Sequence, residues 1–330
     1  MKITIIGGSG FVGTRLIEHI GPIFCKNIDK KPSHHFPEIT SIYDIRNKNL
    51  ESTIDPETDI VILLAAEHKD NVEPVSLYYD VNVEGTKNVL DVMDKMGIKK
   101  ILFTSSVAIY GLNKKNPDED FNPEPFNHYG KSKWLAEEVL REWFTKDPLN
   151  RSLIIIRPTV IFGEQNRGNV YNLLKQINSG LFIMVGDGNN KKSMAYVENV
   201  VSFIKFCIDN FINKPGYYVF NYSDKPDLTM NEFVLYCSKI LGKKIPSIKL
   251  PYWIGISIGV VADFFSKITG KKLLVSSLRI KKFCATTQID SSKAFNYGFK
   301  PKFTINEALE RTIKFEFLNG RENKVVFFTE

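Results

Sequence analysis

The chain has 330 residues, 43% of them hydrophobic and 25% charged, and a formal net charge of +7. These values describe a soluble globular protein of two domains or one large α/β domain, and they exclude disordered, fibrous and polytopic membrane chains. Four scattered cysteines (Cys25, Cys207, Cys237, Cys284) form no CxxC pair, so neither a disulfide framework nor a metal site is expected, and a reducing cytoplasmic setting is.

The first expected strand, 2–6 (KITII), is a short isoleucine-rich stretch followed by glycines, too short for a signal peptide. GGSGFVG follows at 7–13, between that strand and a helix predicted over 11–20. Its glycines satisfy G-x-G-x-x-G through Gly8, Gly10 and Gly13, and also the spacing Gly7, Gly10, Gly13. Such a turn lets the backbone approach a pyrophosphate, which then sits on the helix N-terminus. Gly7, Ser9, Gly10, Phe11, Val12 and Gly13 are therefore the expected cradle. The second strand, 25–29, ends at Asp29, 21 residues after Gly8. A carboxylate there accepts hydrogen bonds from the adenosine ribose and repels a 2′-phosphate, which favours NAD over NADP.

A strand over 59–66, a helix over 81–97 and a strand over 99–106 come next. That last strand ends in the hydroxyls Thr104, Ser105 and Ser106. A helix over 129–144 opens with Tyr129 and Lys133, four apart and so on one face. An ammonium beside a phenol favours the phenolate, which makes Tyr129 a candidate general base. Ligands of an open α/β sheet bind at the carboxyl ends of the strands, and this places Ser106 to hydrogen-bond a substrate hydroxyl or ketone. Two further Tyr-x-x-x-Lys spacings, Tyr110/Lys114 and Tyr171/Lys175, read as structural. A strand over 152–158 completes the alternation, and alternating strands and helices predict a doubly wound parallel sheet of Rossmann type.

After 160 the pattern loosens into a smaller α/β lobe interleaved with the first, with a loop at 186–190 and helices over 231–241 and 305–318. The expected division is a NAD-binding domain over 1–160, to which 190–222 returns, and a substrate lobe over 161–330. There is no internal repeat. Between Lys239 and Lys282 stand ten basic residues and one acid, Asp263, so this segment holds the whole basic excess. Within it, 250–272 is apolar, aromatic at its ends, flanked by lysines and too short to span a bilayer. It reads either as an interfacial helix drawn to an anionic membrane surface or as a core helix of the small lobe. No nucleic-acid partner is expected.

The glycine loop, Asp29, LLAA (63–66), DVNVEGTKNVL (80–90), SSVAIYG (105–111), Tyr129/Lys133, RPTVIFGE (157–164) and GDGNNKKSMAYVENVV (186–201) run from end to end. With them the chain resembles the extended short-chain dehydrogenase/reductases, in the branch of nucleotide-sugar epimerases and dehydratases. The resemblance implies a Ser106–Tyr129–Lys133 triad, with Lys133 also holding the nicotinamide ribose. It implies Asp44 and Ile45 near the adenine, and Leu64, Ala65, Ala66, Asn82, Thr104 and Pro158 along the rest of the NAD site. It also implies a homodimer built through the long helices. Dehydratases of the branch carry an Asp-Glu pair where this chain has Val107-Ala108, so loss of water is not expected.

Three departures argue against a nucleotide handle on the sugar, leaving Ser106, Val107 and Lys192 on the substrate side. Val160 stands where the branch usually has asparagine, Lys192 where it usually has arginine, and RIKKFCATTQID (279–290) where an Arg-x-x-Asp clamp is usual. More narrowly, LLAAEHKDNVEPVSLYYDVNVEGTKNVL (63–90), PFNHYGKSKWLAEEVLREW (125–143) and RPTVIFGEQNRGNVYNLLKQI (157–177) are similar to epimerases whose sugar is carried on undecaprenyl diphosphate. That similarity implies conversion of the lipid-linked GlcNAc to GalNAc at the inner face of the cell membrane, ahead of O-antigen-type glycan synthesis. The alternatives are a UDP-GlcNAc or UDP-glucose 4-epimerase, a NAD-dependent dehydrogenase of a hydrophobic alcohol, and a non-catalytic NAD-sensing protein.

Overall fold

Four consecutive buried residues, three isoleucines and Thr4, leave β1 (Ile3–Ile6) no solvent face, and β4 beside it shares that character. The structure is a computed structural model that describes residues 1–69, 72–246, 248–270, 276–319 and 325–329. After β1 come α1 (Phe11–Ile20), β2 (Cys25–Asp29), β3 (Thr40–Ile42) and β4 (Ile60–Leu63). Next, α2 (Ser76–Tyr79) passes through a π-helical turn (Asp80–Glu84) into α3 (Gly85–Lys95), followed by β5 (Lys100–Thr104), α4 (His128–Thr145) and β6 (Ser152–Pro158). The rest is β7 (Val160–Phe162), α5 (Asn169–Asn178), β8 (Met184–Val185), β9 (Lys191–Tyr196), α6 (Val197–Phe211), β10 (Gly216–Tyr222) and β11 (Asp224–Thr229). Then follow α7 (Met230–Leu241), β12 (Lys249–Leu250), α8 (Tyr252–Thr269), α9 (Ser277–Cys284), α10 (Ser292–Asn296) and α11 (Ile305–Ile313).

Seven strands form one parallel sheet in the order β10-β6-β5-β4-β1-β2-β3, the doubly wound architecture expected. Side-chain alternation along β6 feeds both faces. Ile154 and Ile156 pack with Leu16, Ile17 and Ile204 of α1 and α6. Leu153 and Ile155 pack with Val89, Met93 and Leu140 of α3 and α4. A second sheet, β11-β9-β7, carries the smaller lobe with α5, α7 and α11.

Several elements differ from the sequence expectation. The helix expected over 81–97 starts at Ser76 and holds the π-turn, and the one expected over 305–318 closes in a π-turn at Lys314–Leu318. The strands β3, β7, β9 and β10 and the helix α6 were not singled out in the sequence. β3 and β7 have three residues each, whereas α6 carries a helical period, with Glu198, Ser202, Lys205 and Asp209 on its polar face, that the sequence reading passed over.

The core-helix reading of 250–272 is overturned. Of the 18 residues of α8, the buried ones are Gly255 and Gly259. A Cβ on Gly259 would lie 2.7 Å from Ser277 Cα, so the two backbones nearly touch. One turn on, the Asp263 carboxylate accepts from Ser277 N at 3.1 Å and from its hydroxyl at 2.5 Å, closing the start of α9. The remaining faces stay in solvent, with Trp253 69%, Phe264 63% and Ile268 66% exposed. Lys271 and Lys272 lie outside the described residues. No helix among the described residues is long and apolar enough to cross a membrane.

Candidate active site

Each glycine of the loop after β1 has its own reason. Gly7 has φ of +95°, and a Cβ there would sit 2.5 Å from Ala65 N. A Cβ on Gly13 would lie 2.4 Å from Gly8 Cα. Gly10 is different, because its Cβ would meet Gly7 O at an ordinary 3.5 Å. The protein leaves that space open, and it lies at the start of α1. That helix carries no side-chain cap and no acid in its first turn, so the amides of Phe11 and Val12 meet no internal anion. An open cradle over unopposed helix amides fits a pyrophosphate.

Asp29 closes the same site from β2. One of its carboxylate oxygens accepts from Ser9 N at 3.0 Å and the other from Lys31 N at 2.9 Å. Burial pushes this carboxyl up, while those two N–H bonds and the charges of Lys30 and Lys31 pull it down. Asn27, which the sequence reading passed over, holds the loop in place. It accepts from Gly8 N at 2.9 Å and donates to Ser9 Oγ and Thr40 Oγ1. In CKNID polar residues outnumber apolar ones, so nothing in the strand singled it out.

Leu64 N and Ala65 N both donate to Ile6 O, which sets LLAA against the loop. Asn82, in the π-turn, bonds the main chain of Glu67 in both directions and donates to Ser132 Oγ at 2.9 Å, tying the end of β4 to α4. Arg46 donates to both oxygens of Asp44 and holds that carboxyl below its usual range. Ile45 is buried, and its side chain meets Gly85 of α3.

The helix α4 opens on Asn127, whose side chain accepts from Gly130 N at 2.9 Å. Gly130 presses so close to the segment after β5 that a Cβ there would be 2.4 Å from Ala108 O. This contact brings the first turn of α4 against the turn Val107–Tyr110 that follows Ser106. Ser106 Oγ accepts from Ala108 N at 3.1 Å, leaving its O–H to donate elsewhere.

Lys133 is 2% exposed. Its ammonium donates to Thr104 O at 2.7 Å and stands 4.3 Å from the ring centre of Phe103. Burial pulls Lys133 down to about 7, against the opposing charge of Glu137 one turn further along α4. Glu137 is itself paired with Arg157, whose Nη2 lies 2.6 Å from Oε2, and both are buried. Arg157 also donates to Tyr110 OH at 2.7 Å, and Tyr110 donates to Asn221 Oδ1 at 2.8 Å. Tyr129, Lys133 and Glu137 thus form one stripe of α4, fixed to β6 and β10 at its inner end. Glu137, Arg157 and Asn221 were missed because their partners lie 20 or more residues away in the chain.

The two other tyrosine–lysine spacings are structural, as read. Tyr110 is fully buried, and burial pushes its phenol up to about 12. Lys114 pairs with Glu124. Tyr171 stacks on Phe317 with ring centres 5.6 Å apart, under the guanidinium of Arg167. Pro158 ends β6, buried beside β10. Lys192 donates to Lys282 O at 2.7 Å and Ala285 O at 2.6 Å, so two of its three N–H groups cap the end of α9 and one remains for a ligand. Among the described residues no His/Cys/Asp/Glu group could hold a metal ion.

A glycine loop on a helix N-terminus, an acid at the end of β2 and a Tyr–Lys stripe beside β5 define an enzyme that works with a dinucleotide. Residues 3–222 match the NAD dependent epimerase/dehydratase family, and the chain belongs to it. NAD is its cofactor, and the cradle at Gly10 and Asp29 fits it. The chain is 57% identical, over all of its length and 99% of the relative's, to the N-acetyl-alpha-D-glucosaminyl-diphospho-ditrans,octacis-undecaprenol 4-epimerase of Escherichia coli O157:H7. It is 29% identical to the UDP-glucose 4-epimerase of Vibrio cholerae, covering 94% of each chain. Its fold is similar to that of the Thermus thermophilus UDP-glucose 4-epimerase complex with NAD, with a TM-score of 0.71, 19% identity, and coverage of 96% and 98% of the two chains.

Proposed function

We propose that this enzyme inverts C4 of N-acetylglucosamine while the sugar is carried on undecaprenyl diphosphate. The product, the GalNAc-bearing lipid, would serve O-antigen-type glycan assembly at the inner face of the membrane. One observation carries the lipid-linked reading: α8 turns an apolar helix of 18 residues, about 27 Å long, almost wholly outward. Its rim continues through exposed Ile183 and Ile248, which precede the paired strands β8 and β12. Lys249 precedes it in the chain, Lys267 stands in its last turn, and Arg279 and Lys281 belong to α9, which packs on it. An apolar helix edged by cations settles in the interface of an anionic bilayer. The lipid side also adjoins the chemistry. Lys282 of α9 stands 5.7 Å from the ring centre of Phe126, three residues before Tyr129.

The proton work belongs to Tyr129 Oη. It takes the proton of the sugar 4-hydroxyl, which Ser106 Oγ holds in place, and the Lys133 ammonium stabilises the resulting charge distribution. NAD, held by the glycine loop and Asp29, would supply the hydride acceptor and donor for C4. The 4-keto sugar turns over about its diphosphate linkage, and Tyr129 returns the proton to the other face. Val107-Ala108 offers no acid or base for loss of water, so the cycle closes as an epimerisation with no net redox change. Pairing of two copies through α3 and α4 belongs to the same reading, and sedimentation checks it.

The test is to incubate the protein separately with GlcNAc-PP-undecaprenol in detergent and with UDP-GlcNAc, and to identify the released sugar. GalNAc from the lipid is expected. GalNAc from the nucleotide sugar alone would overturn the reading. Tyr129→Phe, folded and loaded with NAD, should lose roughly 10²–10⁴-fold in turnover.

A further inference from the structure

We propose that the C-terminal residues 325–329 form a strap that retains NAD, with Phe327 as its clasp. The tail meets the loop after β7 in a single parallel β-bridge between Asn166 and Phe327. Phe327 N donates to Gln165 O at 2.9 Å, Arg167 N donates to Phe327 O at 2.8 Å, and Thr329 Oγ1 donates to Asn166 Oδ1 at 2.6 Å. Gly168 makes room for it, since a Cβ there would come within 2.5 Å of Thr329 Oγ1.

This seat carries the Phe327 ring to two places at once. Its centre lies 5.8 Å from that of Phe11 and 6.3 Å from that of His35, nearly parallel to the latter at 21°. Phe11 follows Gly10 and opens α1, and His35 lies in the loop six residues after Asp29. The ring therefore bridges the start of α1 and the loop after β2, beside which a pyrophosphate and its adenosine ribose must lie. A cofactor that leaves by this edge has to part the ring contacts first. An epimerase regenerates its NAD in every cycle, so slow release costs it nothing in turnover.

The loop beneath the tail does not depend on it. Glu316, 2% exposed, accepts from Gln165 N at 2.7 Å and pairs with Arg167 at 2.9 Å. A chain ending at Asn319 keeps that anchor, so removing the strap should not unfold its seat.

The experiment compares the full chain with Phe327→Ala and with the chain ending at Asn319. It measures the NAD retained through purification, the dissociation rate of bound NAD, and the melting temperature of the cofactor-free forms. Both variants should release NAD about tenfold faster, the factor that two aromatic contacts are worth, and their cofactor-free forms should melt with wild type. Phe327→Tyr should restore slow release. Unchanged release in both variants overturns the proposal. So does a drop of several degrees in the cofactor-free melting temperature, which would make the tail a structural element.

Discussion

The strand β6 and the helix α8 are built from the same kinds of residue and meet opposite fates. β6 is buried at all seven positions, between two strands and two layers of helices. α8 buries two glycines and presents its isoleucines, valines and aromatics to water. Apolar side chains gain about 1.5–3 kcal/mol each on leaving water, but the chain supplies a partner surface in one case only. The difference teaches that composition says what should leave water, while neighbouring elements decide whether the protein or something else receives it. Around β6 the answer is a rigid platform for Tyr129 and Lys133. Around α8 it is an exposed apolar face, the one proposed to meet a bilayer.

The comparison breaks first at the level of stability. Ile154→Ala hollows the sheet between β5 and β10 and should lower the unfolding free energy by about 2–5 kcal/mol in a denaturant titration. Phe264→Ser with Phe265→Ser, on α8, should change it by less than about 1 kcal/mol while abolishing binding to anionic vesicles. A large loss from the α8 pair would return that helix to the core.

The same contrast holds for cations. Lys133 is dry and burial pulls it down to about 7, so it is charged below that pH, and above it the Tyr129–Lys133 pair together holds one proton fewer. Below about pH 7 both Tyr129 and Lys133 hold their protons, and the pair has no place for the sugar's proton. kcat/KM should therefore rise tenfold per pH unit up to about 7 and then level off. Lys133→Met should move that limb upward by at least one unit. A limb that stays in place would assign it to another group.

The smallest effects come from the wet cations. Lys267→Gln or Lys281→Gln should each weaken vesicle binding by about 1 kcal/mol, roughly fivefold. Raising salt to about 0.5 M should mimic them.

What could be read from the sequence divides along similar lines. The glycine loop, Asp29 and the Tyr129/Lys133 spacing were legible because each works through residues close together in the chain. The restraints behind them were not. Asn27 reaches back 18 residues to Ser9, Glu137 meets Arg157 after 20, and Tyr110 meets Asn221 after 111. No spacing rule announces such partners. Lys192 was legible as a cation facing the substrate lobe, but its commitment to the carbonyls of α9 was not. For 250–272 the residues allowed both the core and the interfacial reading; the exposure of all but the glycine stripe of α8 speaks against the first, and the second remains the proposal.

The most direct test of the account separates the chemistry from the docking face. Wild type and the Phe264→Ser/Phe265→Ser protein are assayed on lipid-linked GlcNAc embedded in anionic vesicles and on a short-chain, water-soluble analogue of the same diphosphate. The account predicts that the variant keeps turnover on the soluble analogue and loses at least about tenfold on the embedded lipid. Equal turnover by both proteins on the vesicles would contradict it.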